Sequence, residues 1–200
     1  MPANASVKGF LLTVVLSLLG LVAPVGAQEA TFTDLHDLVP DRCFSAALST
    51  VSADAVDIGI ESGIDSATWI NKACTASTTA FNSRTVTDTF TVTVTAPPGM
   101  RIARVHYEQA GTRIVWWSPL YWHASGTGTL TVNGVPLSFS FTAPTLIQTV
   151  DLAGQDVEST TVSVSINLEA ERDPAFPRIP GKPGYATIRV TNAAIRVEYQ

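Results

Sequence analysis

The chain has 200 residues, of which 46% are hydrophobic and only 14% charged, and its formal net charge is −5. That length suits one ordinary domain and excludes a large multidomain enzyme, while the apolar fraction excludes wholesale disorder. The negative charge argues against electrostatic binding to nucleic acid or anionic lipid.

In chain order, Met1 to Ala27 reads as a secretory signal. Lys8 supplies a basic start, Phe10 to Val22 an apolar run, and Val25-Gly26-Ala27 small residues at the cleavage positions. The apolar run is shorter than the ~20 residues a spanning helix needs. The expected product is therefore secreted, periplasmic or cell-surface after cleavage near Ala27, with no integral membrane segment in the mature chain. Residues 28–200 then form a single domain, with 28–84 a disulfide-tied part and 85–200 the regular strands. The only two cysteines are Cys43 and Cys74, and pairing is the default for two thiols in an oxidising compartment.

Ala30 to Asp37 does not alternate cleanly, and the region from Thr31 to Arg84 mixes a strand at Ala55 to Ile60 with weak helical stretches around Leu35 and Trp69. From Thr85 onward period-two alternation with β-branched residues predicts half-buried strands. In Thr89 to Thr95, Phe90, Val92 and Val94 share one face and the threonines the other, before Pro97-Pro98-Gly99 stops the strand. Asn133-Gly134 is a type I′ hairpin pair, which puts Val132 opposite Val135 and Leu130 opposite Leu137, all on one face. Val162 to Leu168 alternates again. Ala186 to Val190 and Ile195 to Tyr199 read as two strands joined by a short polar turn, an antiparallel pair at the end of the chain. Pro174, Pro177, Pro180 and Pro183 mark a stiff loop between strands. Many short strands without an amphipathic helix predict an all-β antiparallel sandwich, jelly-roll or immunoglobulin-like.

The chemistry-bearing residues are sparse. His36, His106 and His123 fit no metal-ligand spacing, no G-x-S-x-G elbow occurs, and no cofactor motif is present, so neither metal, cofactor nor enzymatic activity is expected. Arg104, His106 and Glu108 share one strand face, an arrangement whose ordinary role is cross-strand ion pairing. Asp151, Asp156 and Glu158, and later Glu169, Glu171 and Asp173, supply oxygen ligands of the kind calcium takes, without an EF-hand pattern. The densest composition is at Ile114 to His123, where Trp116, Trp117, Tyr121, Trp122 and His123 gather. Adjacent Trp116 and Trp117 must point to opposite faces of a strand, which leaves one ring for the solvent side, and a flat aromatic suits a pyranose face. These five residues are the candidate ligand-binding set, with polysaccharide or another extracellular protein as the partner.

The run Phe90-Thr91-Val92-Thr93-Val94-Thr95-Ala96-Pro97-Pro98-Gly99, followed by Ile102 to Tyr107, resembles bacterial exported β-sandwich modules. The resemblance covers about half the mature chain and implies a fold and an extracellular setting without an active site. Cys43, Cys74, the Val56-Asp57-Ile58-Gly59 run and penultimate Tyr199 resemble, in part, chaperone-assembled pilins. That resemblance implies a fibre subunit whose last strand is donated by its neighbour. The leading expectation is an exported non-catalytic binding or surface-associated module with carbohydrate as ligand; the alternative is the pilin-like structural subunit.

Overall fold

The computed structural model describes residues 29–38, 43–65, 70–78, 84–116, 122–141, 145–172 and 184–200, and all regular structure among them is β. The strands are β1 (Thr31–Asp37), β2 (Phe44–Val51), β3 (Ala55–Ile60), β4 (Ser62–Asp65), β5 (Ile70–Ala73), β6 (Thr75–Thr78) and β7 (Arg84–Thr95). They continue with β8 (Ile102–Trp116), β9 (Trp122–Val132), β10 (Val135–Phe141), β11 (Thr145–Asp151), β12 (Ser159–Arg172) and β13 (Tyr185–Tyr199). Sheet one has the order β1-β7-β12-β9-β10, and sheet two the order β11-β8-β13-β3-β2 with β6 also paired to β13. β4 and β5 make a separate hairpin.

The pairings decide between the two expected topologies. β6 pairs with β13, β7 with β12, β8 with β11 and β9 with β10, so the last eight strands are one long antiparallel ribbon rolled into two sheets. That is a jelly roll. Its core is built by the alternation read in the sequence. Phe90, Val92 and Val94 from β7 and Val162, Val164, Ile166 and Leu168 from β12 meet Val105 and Tyr107 from β8 and Ile188 and Ile195 from β13. Each side chain of this size, fully buried, contributes about 1.5 to 3 kcal/mol. The Asn133-Gly134 turn has both residues at positive φ and the expected partners, Val132 with Val135 and Leu130 with Leu137. Val132 and Leu130 are buried, yet Val135, at the start of the edge strand β10, is 58% exposed. Further along, Phe139 and Phe141 lie over Gly128 and Gly126, their partners on β9, where any Cβ would collide with the ring.

Two expectations are corrected, both by bulges. The segment around Leu35 is strand β1, not helix, and pairs with β7. Its register shifts between Thr33 and His36, with Asp34 at φ 53°, so the inward position passes from Phe32 to Leu35 and the alternation is broken in the sequence. The stretch around Trp69 lies partly outside the described residues. The chain end is one strand, β13, and not an antiparallel pair. Its register shifts between Val190 and Asn192, changing the inward set from Ala186, Ile188 and Val190 to Ala193, Ile195 and Val197. Gly111 on β8 makes the bulge possible, since a Cβ there would strike the Arg189 carbonyl. β13 is hydrogen-bonded to β8 along its length and to β6 and β3 on its other side.

The N-terminal part is tied on by two devices. Cys43 and Cys74 form a disulfide, separated by 31 positions and with Cα atoms 4.4 Å apart. A loop of that size contributes about 3 to 4 kcal/mol through the unfolded chain. Asp88 takes an inward position on β7 and is only 3% exposed. Its Oδ2 accepts the backbone N–H groups of Cys43 at 3.1 Å and Phe44 at 2.9 Å, and its Oδ1 accepts that of Thr89 at 2.7 Å. Phe44 then packs edge-on against Phe90, with ring centroids 6.2 Å apart.

The outer face of sheet two is laced by ion pairs. Arg104 Nη1 donates to Glu198 at 3.0 Å and Arg104 Nε lies 3.6 Å from Asp151, while Arg196 Nε donates to Glu108 at 2.9 Å. His106 bridges Thr149, at 2.9 Å from Nδ1, and Glu198, at 3.2 Å from Nε2. The hydrogen bond from Arg104, with that from His106, holds the Glu198 carboxyl below the ordinary carboxylate range. The arginines and carboxylates are solvent-exposed, so screening keeps each of their pairs weak.

Two stability measurements test these contacts. Asp88→Ala leaves two fully buried N–H groups unsatisfied and is expected to lose about 3 to 5 kcal/mol in denaturant unfolding, with Asp88→Asn losing less because one acceptor oxygen remains. A loss under about 1 kcal/mol for the alanine variant would mean that water takes the carboxylate's place. Glu198, with its folded pKa depressed, stabilises the protein above the ordinary carboxylate pKa and loses that contribution as pH falls through the lower folded value. Glu198→Gln is therefore expected to flatten the acid limb of the melting-temperature profile at low salt. Superimposable profiles for the two proteins would refute the pairing.

Candidate functional site

β7, β12, β9 and β10 lie side by side, and their inward residues are apolar, so every second residue faces solvent on the outer side of sheet one. The in-register pairing aligns these residues into rows. One row runs Thr87, Asn167, Thr127, Ser140 and the next Thr89, Ser165, Thr129, Ser138. Together they line an open groove of about 780 Å³, with Leu38 at the β7 side. Leu38 is held there by its N–H donating to the Thr89 carbonyl at 2.9 Å, and its side chain is 64% exposed.

The groove is hydroxyl-rich and uncharged. Within it Thr89 Oγ1 and Ser165 Oγ are hydrogen-bonded at 2.8 Å, and Asn167 Oδ1 is shielded from solvent with no hydrogen-bond partner. Asp88 contributes to the lining, but its carboxylate is turned to the core and engaged by Cys43, Phe44 and Thr89. The nearest outward charge on β12 is Glu169, opposite Thr85 and Ser125 in the following row. A serine or threonine hydroxyl offers one donor and two acceptor positions, so the surface presents donors and acceptors alike without charge.

The aromatic segment predicted from the sequence is divided by the fold. Trp122 begins β9 on its inward face, is 6% exposed and packs on Gly184, where a Cβ would meet the indole. It is a core residue, unavailable as an open platform, because strand alternation from Leu130 back through Ala124 carries it inward. His123 takes the outward face, half-buried and opposite Glu171 on β12. It shares that face with Thr127, four residues and about 13 Å along the strand. Trp116 ends β8, its backbone opposite Tyr185. The Trp116 side chain, Trp117 and Tyr121 lie outside the described residues, as does the proline-rich 173–183.

The other candidates resolve into ordinary contacts. Arg104, His106 and Glu108 form the ion-paired face of sheet two. Of the acidic residues considered for calcium, Asp156 and Glu158 clamp Arg101, and Asp151 faces Arg104. Among the described residues no group of three or more His, Cys, Asp or Glu is placed to hold a metal ion. Burial pushes the Tyr107 hydroxyl up from its ordinary value, and it donates to Gln109 at 2.7 Å inside the core; Tyr199 is pushed up to about 12 by burial. Neither tyrosine reaches the groove. No helix among the described residues is long and apolar enough to cross a membrane.

Sequence reasoning missed the groove because it lies on the wet side of strands that were identified correctly. The signal was present in the polar half of the alternation. From Thr85 to Thr95 every outward residue of β7 is a threonine, and from Ser159 to Asn167 the outward residues of β12 are uncharged. Such a face is ordinary for a strand taken singly.

No protein-family model matches this chain, and no curated protein matches it. Among solved structures, the chain is similar to one described as TmCBM61 in complex with beta-1,4-galactotriose, at 8% identity, with 86% of this chain and 92% of that chain covered and a TM-score of 0.32.

Proposed function

We propose that this chain is a non-catalytic glycan-binding module of the cell exterior, with the groove on the outer face of sheet one as its binding surface. The observation that carries this reading is the pair of uncharged hydroxyl and amide rows over β7, β12, β9 and β10, open to solvent and shaped into a groove. Other ligand classes fit it less well. A peptide added as a strand needs a sheet edge, and the groove lies across the middle of a face. Nucleic acid needs cations, and the lining has none. An extracytoplasmic setting accords with the Cys43–Cys74 disulfide and with the signal-like segment ending at Ala27.

Single hydroxyl contacts are weak, each contributing about 0.5 to 1.5 kcal/mol net. Several together give a dissociation constant between about 1 μM and 1 mM, the range expected for a module that grips a polymer by many shallow contacts. Affinity electrophoresis of the full chain through gels containing neutral or acidic polysaccharides tests the function directly. Retardation by at least one neutral polysaccharide, without release of reducing ends, is the expected outcome. Unchanged mobility in every gel would refute glycan binding, and release of reducing ends would refute the non-catalytic assignment.

A further inference from the structure

The shape and chemistry of the groove specify how a ligand lies in it. We infer that the groove takes an internal segment of an uncharged polysaccharide, about three sugar units long, running across the strands with Asn167 as its central hydrogen-bonding anchor; this rests on the glycan-binding function proposed above. The long axis follows from the lining residues. They occupy two successive outward rows, about 7 Å apart along the strands, but extend over four strands, which spans about 14 Å at the normal inter-strand spacing. A chain laid across β7, β12, β9 and β10 therefore meets a new pair of polar side chains at each strand, at intervals close to one pyranose unit. A chain laid along a strand would leave the lined region after about one unit.

Charge selects against acidic chains. No cationic side chain lines the groove, and Glu169 and Glu171 stand on the same outward face beyond the Asn167 row. A uronate or sulfate would approach these carboxylates without a compensating arginine or lysine among the lining residues. Asn167 is singled out as the one side-chain amide in the two rows, a group with two donors and an acceptor where its neighbours Thr87 and Thr127 carry single hydroxyls. It sits in the second of the four strands, under the middle of a ligand spanning them. Leu38 adds an exposed apolar contact at the β7 end, suited to the C–H face of a sugar ring.

The test is calorimetric titration of the full chain with neutral glucose, mannose, xylose and galactose series, from monosaccharide to hexasaccharide, beside galacturonate and oligogalacturonates of the same lengths. For a neutral series that binds, affinity is expected to rise up to the trisaccharide or tetrasaccharide and then level off, with the acidic series weaker at every length. Asn167→Ala is expected to weaken binding about five- to tenfold. Thr129→Tyr, a good strand former that fills the groove without touching the core, is expected to abolish it. Ile147→Thr, on the outer face of the opposite sheet, is the folding-matched control and should bind as the parent does. Neutral-glycan binding that survives Thr129→Tyr, or that is complete with a single sugar, would overturn the groove assignment while leaving glycan binding intact. Stronger binding of the acidic series would overturn the charge argument alone, and no binding in any series would overturn both this inference and the proposed function.

Discussion

β12 is paired on both sides without a bulge, Ser159 to Ala170 against β7 and Val162 to Arg172 against β9. The rest of the molecule depends on this uninterrupted double ladder. Because the register never slips, every even-numbered residue from Val162 to Ala170 enters the core and every odd-numbered one faces solvent on the same side as its partners on β7 and β9. A single inserted residue would exchange the two sets. The packed interior under Leu168 and Val164 and the hydroxyl rows over Asn167 and Ser165 are thus the two sides of one constraint. The core cannot be kept while the groove is scrambled.

The register shifts fall elsewhere, and those at β13 and β1 serve the closure of the sandwich. At β13 the shift after Val190 lets one strand serve two partners, β6 along its first half and β3 along its second, while still burying Ile188 and Ile195. At β1 the extra residue at Asp34 turns the edge of sheet one away from a regular ladder. The opposite edge, β10, carries Pro136 next to the hairpin, which removes one backbone donor from the strand. Both margins of sheet one are in this way poor templates for adding a strand.

The N-terminal strands are held to the jelly roll from inside. Asp88 interrupts an otherwise apolar row of β7, and a buried carboxylate is tolerated only where hydrogen bonds replace its water. It finds them in the backbone of Cys43 and Phe44, at the point where the disulfide begins and where β2 enters the core. Covalent and polar ties converge on two adjacent residues. β7, whose inner side they hold, bears Thr87 and Thr89 on its outer side, so anchoring of the N-terminal segment and placement of the groove's first strand are coupled.

The sequence by itself determined what depends on neighbours along the chain. Period-two alternation marked Phe90, Val92, Val94 and Val162 to Leu168 as inward, Asn133-Gly134 fixed a hairpin and its register, and two cysteines alone implied one bridge. Tertiary structure decided everything that depends on which strands lie beside each other. It chose the jelly-roll order, left Val135 on the inward face but uncovered, sent Trp122 into the core and His123 outward, and merged two apparent terminal strands into one. It also assembled the groove, since its eight outward side chains come from four strands separated by as many as 80 positions, and no local pattern distinguishes a wet strand face from one wall of a site. Alternation is set by the two-residue repeat of the backbone, whereas strand order is set by non-local packing, and so the residues of the groove were visible one by one while the site itself was not.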